Sequence, residues 1–139
     1  MQKSGNVLLS ESDDCKIGDF GLSRALETLG KQTMTAVGTP GWTAPEVLRG
    51  EPYAASSDVF SFGVVAWELA TRRLPWEGLN AVQIVGRILA AASLLDAPLP
   101  EASPALAALL ARLLSPDPRA RPAFAELVRM FQEGSEKYY

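Results

Sequence analysis

Val59-Phe60-Ser61-Phe62-Gly63-Val64-Val65-Ala66-Trp67-Glu68-Leu69-Ala70 is apolar on nearly every side. A soluble helix of that kind is a buried central helix, not a surface one. A buried strand is the alternative for an apolar run, and the length favours helix. Ser56 and Ser57 precede it as candidate caps. Asp58 falls in its first turn, where a carboxylate suits the helix dipole.

Downstream of this helix the signals are also helical. Asn80 followed three residues later by Gln83 reads as a capping box, and Val85, Ile88 and Leu89 then form one apolar face. Ser103-Pro104 is a cap followed by proline at the first helical position. Leu106, Leu109, Leu110, Leu113 and Leu114 recur at helical spacing until Pro116 and Pro118 stop the run. Pro122 opens a last helix with Phe124, Leu127, Val128 and Phe131 on one face. The leucine and phenylalanine stripes read as core. Residues after about Glu133 read as a frayed tail.

Upstream, Val7-Leu8-Leu9 and Cys15-Lys16-Ile17 flank a polar stretch and read as two short strands joined by a tight turn. Residues 33–41 are rich in Thr, Gly and Pro and read as part of a long loop, a feature that in compact domains is usually functional. The expectation is a mainly α fold with a small β-hairpin at its N-terminal end.

Composition narrows the function classes. The 139 residues suit one domain or one large lobe, and 47% hydrophobic content is enough for an ordinary core. A formal net charge of −3 without a basic run argues against nucleic acid or an anionic membrane as the main partner. The chain has no histidine, which excludes His-based triads and His-ligated metals within it. Cys15 is the sole cysteine, so an intrachain disulfide and a Cys-rich zinc site are excluded. It reads as a small apolar strand residue. No signal-peptide pattern opens the chain, and no apolar run approaches roughly 20 residues. The default expectation is a soluble, cytoplasmic protein with no membrane segment in this chain, although a longer parent could carry one upstream.

Short motifs occur in a telling order. Lys3-Ser4-Gly5-Asn6 precedes the strand pair and Asp19-Phe20-Gly21 follows it. Gly38-Thr39-Pro40-Gly41-Trp42-Thr43-Ala44-Pro45-Glu46 closes the long loop, and Ser57-Asp58-Val59-Phe60-Ser61-Phe62-Gly63 comes next. Each is weak alone. Together they resemble the C-terminal lobe of a eukaryotic protein kinase domain, over essentially the whole chain. The resemblance implies a partial kinase domain over residues 1–133 and a tail over 134–139.

The resemblance also implies roles. Phosphoryl transfer asks the protein to hold ATP, neutralise charge with Mg2+ and align an acceptor hydroxyl. Asp19 would offer a carboxylate, and Asn6 an amide oxygen, to Mg2+, which prefers hard oxygen ligands. Lys3 would balance the charge of the transferred phosphate. Leu8 resembles the apolar floor under the adenine ring, with Val7 and Leu9 beneath it. Phe20 would pack into the hydrophobic column between the lobes, and Gly21 would let the backbone swing.

Thr28, Thr33 and Thr35 lie in the activation segment as candidate phosphorylation sites. Thr39 resembles the threonine that hydrogen-bonds to the catalytic loop in Ser/Thr-type kinases. Lys3 points the same way, and the segment is closest to the tyrosine-kinase-like group. Glu46 and Arg121 would form a buried ion pair tying the activation segment to the last helices. Asp58 would accept backbone N–H bonds from the catalytic loop.

One departure stands out. Counting back from Asn6 along His-Arg-Asp-Leu-Lys-x-x-Asn, Lys3 matches the lysine, and Met1 falls at the catalytic aspartate. The Gly-rich loop, the third-strand lysine and its glutamate partner are not present, so the N-terminal kinase lobe is a missing partner. The expected function is therefore a fragment of an ATP-dependent serine/threonine protein kinase acting on a protein substrate, inactive as this chain alone. The alternative is a pseudokinase-like or kinase-derived protein-binding module, docking through the face around Val85 and Ile88 or through the open hairpin surface.

Overall fold

The computed structural model describes residues 3–18, 39–96, 99 and 103–135. The element order is a hairpin, β1 (Val7–Leu9) and β2 (Cys15–Ile17), followed by α1 (Pro45–Leu48), α2 (Ala55–Thr71), α3 (Ala81–Leu89), α4 (Pro104–Leu113) and α5 (Phe124–Ser135). Short 3-10 turns lie at Ser4–Asn6, Pro40–Trp42, Leu94–Asp96 and Pro118–Ala120. The fold is mainly helical with one small hairpin, as expected from the sequence.

β1 and β2 pair antiparallel in the register Val7↔Ile17, Leu8↔Lys16 and Leu9↔Cys15. Their turn is held by the Ser10 N–H on the Asp14 carbonyl at 3.0 Å and the Asp14 N–H on Ser10 Oγ at 3.0 Å. Asp13 takes a left-handed conformation at φ 62°, which aspartate tolerates better than most side chains. Leu8 and Leu9 are 56% and 67% exposed, so the hairpin presents apolar surface to solvent.

α2 is the spine of the domain. Val59, Phe60, Val64 and Trp67 bury against Leu110, Leu113, Leu114, Leu127 and Leu94. The helix begins at Ala55, earlier than the apolar run suggests, and Ala54 occupies its N-cap position without a side-chain bond. Ser56 and Ser57 therefore do not cap it. Ser57 instead donates to Glu46 Oε1 at 2.8 Å, and the Ser56 carbonyl accepts from Arg121 at 3.0 Å. Ser57 is the third residue of the helix, past any capping position, and its hydroxyl proton goes to the buried carboxylate in a charge-assisted bond. Gly63 marks the point where α4 crosses, because a Cβ there would lie 2.7 Å from Leu113 Cβ.

The caps of α3 and α4 follow the local sequence. Asn80 accepts from the Gln83 N–H at 3.0 Å while Gln83 Oε1 accepts from the Asn80 N–H at 2.9 Å. Ser103 Oγ accepts from the Leu106 N–H at 3.2 Å. The apolar faces differ from expectation in two helices. On α3, Ile88 is buried and Val85 half-buried, but Leu89 is exposed, since adjacent helical residues lie about 100° apart. On α5, among the side chains described, only Leu127 is buried, at 2% exposed. Val128 and Phe131 are 54% and 52% exposed, and Phe124 packs only edgewise on Phe62, with ring centroids 6.2 Å apart. The α5 stripe is thus a single buried line flanked by open apolar residues, not a core face.

Candidate active site

The first half of the site is a turn leaning on the hairpin. The 3-10 turn Ser4–Asn6 is closed by the Asn6 N–H on the Lys3 carbonyl at 2.9 Å. The Asn6 carbonyl then accepts from the Gly18 N–H at 2.7 Å, across the hairpin. That bond brings the Lys3–Asn6 turn against the residue immediately before Asp19. Lys3 and Asn6 are half-buried, and Leu8 stands exposed on β1 above them in sequence. Asp19, Phe20, Gly21, Thr28, Thr33 and Thr35 lie outside the described residues.

The Asn6 side-chain amide carries a neutral hard oxygen. An oxygen of that kind suits Mg2+ better than a soft metal.

The second half is residues 39–46. The Thr39 carbonyl accepts from the Trp42 N–H at 3.2 Å and from Thr43 Oγ1 at 3.2 Å, closing the Pro40–Trp42 turn. Gly41 is buried there, and a Cβ would meet Trp76 Cδ1 at 3.4 Å. Pro45 and Glu46 then begin α1.

Glu46 is 3% exposed and meets Arg121 in a two-pronged contact. Arg121 Nη1 donates to Oε1 at 2.6 Å and Nη2 to Oε2 at 2.9 Å. The guanidinium also donates through Nε to the Ser115 carbonyl at 2.9 Å and lies 5.0 Å above the Phe60 ring. Burial alone pushes the Glu46 carboxyl up. Hydrogen bonds from Arg121, its own backbone N–H and Ser57, with the Arg121 charge, outweigh that and hold it below the usual carboxylate range. The contact joins α1 to the turn before α5. Asp58 is half-buried in the first turn of α2.

A third group joins the two halves, and it was not singled out from the sequence. Glu68, half-buried on α2, accepts from Ser4 Oγ through Oε1 at 3.0 Å. Its Oε2 accepts from Trp42 Nε1 at 2.8 Å. Ser61 on the same helix donates to the Trp42 carbonyl at 2.8 Å. Ser57, Ser61 and Glu68 are spaced by four and seven residues, so they share one face of α2. Polar residues aligned on an otherwise apolar helix need partners, and that spacing was the available signal.

Comparison with known proteins places the chain in a family. The family model for the protein kinase domain matches residues 2–131. The probable serine/threonine-protein kinase drkC of Dictyostelium discoideum is 45% identical over 132 residues, covering 94% of this chain and 18% of that protein. The serine/threonine-protein kinase CTR1 of Arabidopsis thaliana is 40% identical over 130 residues, 94% of this chain and 16% of its own length. The serine/threonine/tyrosine-protein kinase HT1 of Arabidopsis thaliana is 39% identical over 135 residues, 96% of this chain and 34% of that protein. The chain spans 16–34% of the length of these relatives. By sequence and by fold, the chain belongs to the protein kinase domain family.

Proposed function

We propose that this chain is part of an ATP-dependent serine/threonine protein kinase resembling the tyrosine-kinase-like group, which moves the γ-phosphate of ATP to Ser or Thr hydroxyls of a protein substrate. The observation that carries this reading is the Gly18 N–H bond to the Asn6 carbonyl at 2.7 Å. It holds the Lys3–Asn6 turn against Gly18, the residue that precedes Asp19 in sequence, which supports a reading in which Lys3, Asn6 and Asp19 serve one site. Mg2+, when bound, supplies the positive charge that offsets the phosphates. Asn6 and Asp19 would hold the metal, and Lys3 would balance charge on the transferred group. Leu8 would support the adenine face. Thr39 and Asp58 would brace the catalytic turn, and phosphate on Thr28, Thr33 or Thr35 would order the activation segment.

The 139 residues contain no His-Arg-Asp triplet, so this chain alone transfers no phosphate at a useful rate. An N-terminal lobe would cover exposed Leu8 and Leu9. No helix among the described residues is long and apolar enough to cross a membrane.

The exposed apolar residues on the hairpin and on α5 favour a second reading, a kinase-derived module that works by contact. The face around Ile88 does not serve it, because Ile88 is buried in the core. The two readings separate by incubating the full-length protein with γ-labelled ATP, Mg2+ and a generic acceptor protein, then identifying the labelled amino acid. The kinase reading predicts phosphoserine and phosphothreonine. Absence of label, or label on tyrosine alone, would sink it.

A further inference from the structure

We propose that Glu68 is a positioning residue that locks the Ser4–Asn6 turn and the Pro40–Trp42 turn into one register. Its consequence for transfer rests on the kinase reading above.

The carboxylate has two oxygens, and each is committed to a different loop. Oε1 takes the Ser4 hydroxyl and Oε2 takes the Trp42 indole N–H, from positions 64 and 26 residues away in sequence. Ser4 lies between Lys3 and Asn6, the two residues of that turn assigned to phosphate and metal. Trp42 is fixed at its other end as well, because its carbonyl accepts from Ser61. Ser61 and Glu68 stand seven residues apart on one helical face, about 10 Å along the axis. Trp42 is thus held at two points along a rigid helix that is itself anchored in the core. A shift of either loop breaks a bond at Glu68, so the two loops move together or not at all.

The chemistry calls for an acceptor-only group. An indole N–H can only donate, and the serine hydroxyl also donates here. A carboxylate satisfies both with charge-assisted bonds, which are stronger than neutral ones. Trp42 is also distinct from the other tryptophans, since the buried Trp67 and Trp76 indole nitrogens have no acceptor. They are internal references for its resonance.

The test is NMR of the 15N-labelled chain with Glu68→Met and Glu68→Gln. Methionine keeps the length and removes both acceptors. Glutamine can still accept from Trp42 and donate to Ser4 Oγ. In Glu68→Met, the Trp42 indole signal should move toward those of Trp67 and Trp76. Amides in residues 4–6 and 41–43 should exchange about tenfold faster together, while α4 keeps its protection. Glu68→Gln should stay within about twofold of the unaltered chain.

An unmoved Trp42 indole in Glu68→Met would overturn the proposal, as would loosening of one loop without the other. Faster exchange throughout α4 would reduce Glu68 to general stability and overturn it too. In the full-length protein, Glu68→Met should lower kcat about tenfold with ATP KM nearly unchanged, and Glu68→Gln should restore it. An equal fall in both variants would assign the effect to charge and overturn positioning. If the unaltered full-length protein transfers no phosphate, the kinase reading fails, and the indole and exchange readings still decide the role of Glu68.

Discussion

Arg121→Ala should be among the most damaging single changes in this chain. It deletes both prongs of the contact with Glu46 and the bonds to the Ser115 and Ser56 carbonyls. Glu46, 3% exposed, would keep only the Ser57 hydroxyl and its backbone contact as support for a buried charge. Stranding one member of a buried ion pair costs about 3–5 kcal/mol, and the Arg121 side chain has no exposed surface through which water could replace it.

The loss should depend on pH with a definite sign. In the unaltered chain Glu46 titrates below its unfolded value of about 4.3, so its stabilisation is present above that pH and is lost as pH falls through the folded value. In Arg121→Ala, burial without the partner should favour the protonated acid, and the penalty should grow as pH rises past about 4.3. The two chains should therefore differ most near neutrality, less near pH 4.5, and converge only as pH falls through the folded value of Glu46. Urea unfolding followed by tryptophan fluorescence at pH 7 and pH 4.5 measures both values. A loss below about 1 kcal/mol at pH 7, the range of an exposed pair, would refute the reasoning. An equal loss at both pH values would refute the electrostatic part.

Two further stability predictions test the packing. Gly63→Ala places a methyl 2.7 Å from Leu113 Cβ and should cost about 1–3 kcal/mol by overpacking, visible as a lower urea midpoint with an unchanged slope. An unchanged midpoint would mean that α2 and α4 separate easily. On α5, Leu127→Ala should cost about 2–5 kcal/mol, whereas Val128→Ser should stay within about 0.5 kcal/mol. Comparable losses at the two positions would show that the α5 stripe is covered in solution.

What could be read from the sequence was mostly local. The hairpin bounds followed from two apolar triplets around turn residues, and the caps at Asn80 and Ser103 depend on neighbours three residues away. The start of α2 was misjudged because the helix begins at Ala55 without a side-chain cap, while Ser57 serves Glu46, a contact made only after folding. The α5 stripe was misjudged for another reason. Periodicity shows which face of a helix is apolar but not how much of it another element covers. Glu46 and Arg121 are 75 residues apart, and only family resemblance linked them before the structure. Glu68 had no such help. In sequence it is one charge in an apolar run, and its donors become apparent only when the loops around Ser4 and Trp42 meet on α2.

The most direct test of the central claim is γ-phosphate transfer by the full-length protein with and without Asp19→Ala. The account predicts labelled acceptor with the unaltered protein in Mg2+ and at least a hundredfold loss, on the order of the contribution of a single electrostatic group, in the variant. Labelling that survives Asp19→Ala unchanged would contradict it.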